Sequence, residues 1–218
     1  MNSKNNRMRT LFIFCLVASL CVSFFLLAGC SEEAKIERHL KKGEKYLSEN
    51  KQKEAILEYK NVIQLEKSNT KAHYKLGLTY LQMGMVREAY QEFLATVESD
   101  PEMIDARNQL GQLHLQYGGD RKKARDQAAA VLAKDAGNSS AHLLLSNIYL
   151  SEKNLDEAIA ESKKAVEGGE KLNAYLQLAN LYIMKRDLPQ AEEMFKSAVK
   201  VDGKALRTRF ALAEFYQR

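Results

Sequence analysis

The 218-residue sequence has no tryptophan and only two prolines, Pro101 and Pro189. Alternating runs of Val, Ile and Thr are also missing, so nothing reads as a half-buried strand. Ala, Leu, Lys and Glu dominate instead, a helix-forming composition. Catalytic signatures are absent as well. There is no Gly-rich phosphate loop, no Cys-x-x-Cys and no His-Glu-x-x-His, and the chain reads as non-enzymatic. Of three cysteines, Cys15 and Cys21 lie in an N-terminal apolar run, so the chain beyond it keeps Cys30 alone and forms no internal disulfide. A clustered basic face for nucleic acid is not evident either. Residues 1–29 carry Lys4, Arg7 and Arg9 and no acid, so the formal charge falls from +5 to +2 without them, with Lys and Glu interspersed along the rest.

Those first residues have the layout of a secretory signal peptide: a basic start, an apolar run from Leu11 to Leu27, then Ala28-Gly29-Cys30. The ending Leu27-Ala28-Gly29-Cys30 resembles the bacterial lipobox. That resemblance implies cleavage after Gly29 and a covalent lipid on Cys30, with several acyl chains making a stable anchor where one would not. An uncleaved signal anchor is the alternative, since the run is at the short limit for a membrane span. Ser31 stands where an Asp would resemble the inner-membrane retention signal, so the expected location is the outer membrane, facing the periplasm.

A repeat organises the remainder. Tyr46, Tyr80, His114, Tyr149, Tyr182 and Tyr216 follow one another at steps of 34, 34, 35, 33 and 34 residues. Gly43, Gly77, Gly111, Ser146, Ala179 and Ala213 keep the same steps, and Ala55, Ala89, Ala124, Ala158 and Ala191 mark a second helix in each unit. Neither helix of a unit can bury its apolar stripe alone, so units must stack. Small residues belong where helix axes approach closely, and the Tyr fills the space between neighbouring helices.

The unit resembles the tetratricopeptide repeat, a helix-turn-helix with Leu-Gly, Tyr, Ala, an aromatic and Pro at set offsets, here Leu76-Gly77, Tyr80, Ala89, Phe93 and Pro101. The resemblance implies an all-α fold, an α-solenoid coiled as a right-handed superhelix. After the leader (1–29) and a lipidated tether (30–35), the units are 36–69, 70–103, 104–138, 139–171 and 172–205, with the first helix of an incomplete sixth at 206–218. The third is irregular, carrying the extra turn residue of Gly118-Gly119, His114 in the Tyr column and Ala128 in place of an aromatic. Lys42 in the first unit stands where the second has Leu76, as suits a terminal repeat whose outer face meets water. The last helix, with Phe210, Leu212, Phe215 and Tyr216, is apolar on more than one side, which leads us to expect further repeats beyond Arg218.

In this family the first helices line a concave face. The resemblance assigns to it Leu40, Glu44 and Leu47; Lys71, Tyr74, Leu78 and Leu81; Asn108, Gln112 and Leu115; Leu143, Asn147 and Leu150; and Leu176, Asn180 and Ile183. Lys71, Tyr74, Leu78, Leu81, Asn108, Gln112, Asn147 and Asn180 are the candidate partner-binding residues. Amides can pair with the backbone of an extended peptide while apolar pockets take its side chains; equally, they are solvated while the leucines belong to the core. His39, His73 and His142 share one repeat position, but each lies a repeat or more from the next without further donors, so no metal site is expected. No cofactor is expected beyond the lipid, and neither a small-molecule substrate nor nucleic acid as partner.

The expected role is a membrane-anchored periplasmic scaffold for protein–protein interaction. The run 54–64 close behind the lipobox resembles the repeat lipoproteins of exopolysaccharide and exosortase (PEP-CTERM) systems. Two alternatives stay open: the docking arm of a longer enzyme, and an assembly factor for outer-membrane proteins. The register itself is testable by thermal melting. Ala89→Leu should destabilise by about 1–3 kcal/mol through overpacking, and Tyr80→Ala by about 3–5 kcal/mol; unchanged melting of both would refute the alignment.

Overall fold

The computed structural model describes residues 32–169, 171–204 and 206–217. The leader and Cys30 lie outside them. Every regular element among the described residues is an α-helix: α1 (32–48), α2 (Gln52–Leu65), α3 (Thr70–Gln82), α4 (Val86–Ser99), α5 (Ile104–Gln116), α6 (Arg121–Leu132), α7 (Ser139–Ser151), α8 (Leu155–Gly168), α9 (Lys171–Met184), α10 (Leu188–Val201) and α11 (Leu206–Gln217). Residues 32–35, expected as tether, are already helical. No described helix is long and apolar enough to cross a membrane. The fold is an all-α solenoid whose chain divides into two bodies, one ending at Ser99 and one beginning at Asp100.

The same turn joins the two helices of each hairpin. One residue adopts positive φ: Asn50, Gly84, Gly119, Lys153 and Arg186, at 56°, 72°, 59°, 64° and 63°. In four hairpins the N–H of the following residue reaches back five residues to the carbonyl of the aromatic column, from Lys51 to Tyr46, Met85 to Tyr80, Asn154 to Tyr149 and Asp187 to Tyr182, at 2.8–2.9 Å. This satisfies a carbonyl that a helix C-terminus would otherwise leave orphaned. In the third hairpin the extra glycine lengthens the reach by one residue, from Asp120 N–H to the His114 carbonyl at 3.0 Å. Side chains begin the helices: Asn69 accepts from Ala72 N–H, Asp120 from Lys123, Asn138 from Ala141 and Asp187 from Gln190. Pro189 occupies the first turn of α10, where its missing N–H costs nothing.

In the first body, α3 packs on α4 and also on α2. Tyr59, Val62, Leu76 and Phe93 are fully buried there, with Ala55, Ala72 and Ala89 between them. A methyl added at Gly77 would lie 2.9 Å from the Phe93 ring, and one at Gly43 within 2.5 Å of the Tyr59 ring. Only a residue without Cβ lets ring and backbone meet this closely.

The second body solves the same contact differently in each hairpin. Gly111 faces Leu144 of the following hairpin, which fills the space left where Ala128 replaces an aromatic. Ser146 donates to the Ala158 carbonyl at 2.9 Å and shares a 2.8 Å bond with Ser162, at the aromatic position of its hairpin. Ala179 packs with Phe195. α11 has one fully buried residue, Thr208, while Leu206, Phe210 and Tyr216 are exposed.

Tyr59 occupies the position of Phe93 and Phe195, yet its hydroxyl is buried with no partner among the described residues. Burial, with the nearby Glu44 charge, pushes its pKa up to about 12. Tyr59→Phe should therefore raise stability by about 1–3 kcal/mol, the cost of an unsatisfied buried hydroxyl. A urea midpoint that falls instead would mean that the hydroxyl is bonded.

Candidate partner-binding face

In the first body the expected lining comes from α1 and α3. Leu40 is a core residue, 4% exposed, and lines nothing. Lys71 is exposed; Leu78 and Leu81 are half-buried. Tyr74 is half-buried with its ring tilted 58° against Phe93, centroids 5.8 Å apart, so the core behind fixes its orientation. Glu44 on α1 pairs with Lys75 on α3 at 3.3 Å, bridging neighbouring first helices.

In the second body the amides divide into two kinds. Asn108 is 6% exposed and donates to Asn138 Oδ1 at 3.2 Å, so it joins α5 to the cap of α7 rather than facing outward; its own Oδ1 has no partner among the described residues. Asn147 Oδ1 accepts from Gln177 at 2.8 Å, tying α7 to α9, and Gln112 is half-buried. Asn180 alone among the predicted amides is exposed. It lies in a depression between α9 and α11 with Leu176, Ile183, Phe195, Arg207, Glu214 and Phe215. That depression combines an apolar floor with an amide, a cation and a carboxylate at its rim.

One side-chain set escaped the sequence reading. Each repeat-position histidine meets a glutamate nineteen residues on: His39 with Glu58, His73 with Glu92 at 2.6 Å, and His142 with Glu161 at 2.7 Å. The other ring nitrogen donates to the carbonyl six residues back, His73 to Lys67 and His142 to Ala136, each at 3.0 Å. Arg107 and Arg209 make the equivalent backward bond through Nε, to Pro101 and Gly203, at 2.6 Å. This position therefore staples the loop entering α3, α5, α7 and α11. The constant nineteen-residue spacing was visible in the sequence, but only the hairpin geometry gives it meaning. No cluster of three or more metal-ligating side chains occurs among the described residues.

Two tetratricopeptide-repeat models match residues 70–103 and 113–171, and a TPR-repeat model matches 43–84, together more than half of the chain. The chain belongs to the tetratricopeptide-repeat family. No curated protein matches it in sequence. Among solved structures, this repeat protein resembles TTC0263, a thermophilic TPR protein of Thermus thermophilus, at TM-score 0.73 and 18% identity over 84% of this chain and all of that one. PilF of Pseudomonas aeruginosa aligns at TM-score 0.68 and 15% identity, covering 85% of this chain and 90% of its own. YrrB, described as a TPR protein with an unusual peptide-binding site, aligns at 0.56 and 20% over 79% and 89%. At these identities the likeness shows the fold. Tetratricopeptide repeats are generally non-catalytic scaffolds for protein–protein interaction, and that is the role indicated for this chain.

The His73 staple titrates. Both nitrogens of His73 face acceptors, a pairing only the doubly protonated ring satisfies. Its pKa is raised above 6.5, chiefly by the bond to Glu92, against burial. His114, in the second body, is lowered, by burial first and then by the charge of Lys123. The His73 contribution to stability is complete below about pH 6.5 and disappears as pH rises through its raised value; that of His114 is present above the same pH and lost as pH falls. Proton NMR should find His73 titrating above His114. His73→Gln should be most destabilising below pH 6.5 and least at high pH; the reverse order would refute the staple.

Proposed function

We propose that this protein is a lipid-anchored periplasmic scaffold that holds an extended segment of a protein partner on the first-helix face of its second body. The exposed Asn180 amide, set beside Leu176 and Ile183, carries the reading. An amide supplies both a donor and an acceptor to a peptide backbone, and the apolar floor takes a neighbouring side chain. Tyr74, Leu78 and Leu81, half-buried on α3, are the matching residues of the first body. YrrB, of the same fold, is described as having a peptide-binding site. The anchor reading rests on Leu27-Ala28-Gly29-Cys30, with the lipid on Cys30. The setting we infer is exopolysaccharide export or cell-envelope assembly, the first on the likeness of run 54–64 to the repeat lipoproteins of exopolysaccharide and exosortase systems.

A photo-cross-linking residue at Asn180 in living cells, with mass spectrometry of the adducts, tests this. The position should capture one protein partner, whereas Lys163, exposed on α8, should capture none. Asn180→Arg should weaken the complex by about tenfold or more, as expected for a central interface residue. Equal capture from both positions would refute the groove. Cys30→Ser should release the chain from the membrane fraction if unprocessed precursor is also absent there.

A further inference from the structure

The face of α1 opposite its core is cationic, and we infer that it docks on anionic phospholipid headgroups. This rests on the lipid-anchor reading of Cys30. At 3.6 residues per turn, Arg38, Lys41, Lys42 and Lys45 fall within an arc of about 100°. All four are exposed and line one open depression together with Ala34 and Glu37, while Leu40 and Gly43 on the other side of the helix are buried. Lys41 and Lys45 have exposed acidic partners, Glu37 at 3.4 Å and Glu49 at 3.9 Å; Arg38 and Lys42 have none among the described residues.

The repeat register makes this unexpected. Arg38, Lys42 and Lys45 stand where α3 has Ala72, Leu76 and Thr79 and where α9 has Ala174, Leu178 and Leu181, all buried. In α3 and α9 these positions lie on helices packed against the preceding hairpin. On α1 the stacking face has been turned into a cationic one. Ending a stack requires only polar residues there, and acids or amides would serve. Four cations against the single carboxylate of Glu37 select an anionic surface.

A bilayer is the anionic surface held nearest. Arg38 is eight residues after Cys30, so an acyl anchor keeps headgroups within about 28 Å of it even through fully extended chain. Tethering at that range converts weak attraction into docking. The open, multipoint arrangement suits a charged plane, where each Lys or Arg strengthens attachment about fivefold.

The full chain, purified from membranes with its anchor, would be reconstituted into phosphatidylethanolamine vesicles with or without phosphatidylglycerol. Amine labelling of Lys42 should be at least about fivefold slower on the anionic vesicles, and should recover at about 1 M salt, where screening shortens to about 3 Å. Lys163 should be unaffected. The exposed-site variant Arg38→Gln, Lys41→Gln, Lys42→Gln, Lys45→Gln should keep its melting temperature and lose the headgroup dependence of hydrogen exchange along α1. Flotation on both vesicles with equal Lys42 labelling would overturn the docking and leave the anchor standing. Flotation on neither, with unmodified Cys30 by mass, would overturn both. Protection by a soluble polyanion and not by vesicles would overturn the choice of occupant.

Discussion

Each hairpin depends on how closely two helix axes approach at one small side chain. Gly43 and Gly77 receive the rings of Tyr59 and Phe93 at separations no Cβ would allow. Around that contact the alanine column Ala55, Ala89, Ala124, Ala158 and Ala191 is fully buried. The contact is a constraint on volume shared by two positions rather than on either residue. The pairs Ser146 with Ser162 and Ala179 with Phe195 satisfy it with different chemistry, and Gly111 satisfies it with Leu144 from outside its own hairpin. Packing density tolerates such exchanges where the total filling is preserved.

The core was legible in the sequence because it is periodic. Spacings of 33 to 35 residues place the small, aromatic and alanine columns without ambiguity, and the cap at Asp187 with Pro189 is a local signal. The partner-binding face was legible only in outline. Register locates Asn108, Asn147 and Asn180 on first helices, but whether an amide faces outward depends on what the next hairpin brings to it. Asn138 meets Asn108 and Gln177 meets Asn147, each thirty residues away in sequence. Asn180 keeps an exposed amide beside the less buried α11. The histidine staples were hidden for a related reason: their glutamates lie on second helices, and no local pattern joins the two.

Charge acts on this protein at two scales. Within hairpins, paired groups hold loops to helices. The Glu161 carboxylate is an example: burial works against its ionised form, but bonds from Lys164 and His142 outweigh that and its pKa falls below the ordinary value. At the first helix, Arg38, Lys42 and Lys45 stand exposed at positions that α3 and α9 bury.

The third hairpin carries one more turn residue than the others, yet its helices re-enter the pattern because the added glycine is absorbed within a single backbone loop, from Asp120 back to His114. The added residue thereby falls in a turn, whereas the one-residue shortfall between Tyr149 and Tyr182 falls in the connection from α8 to α9.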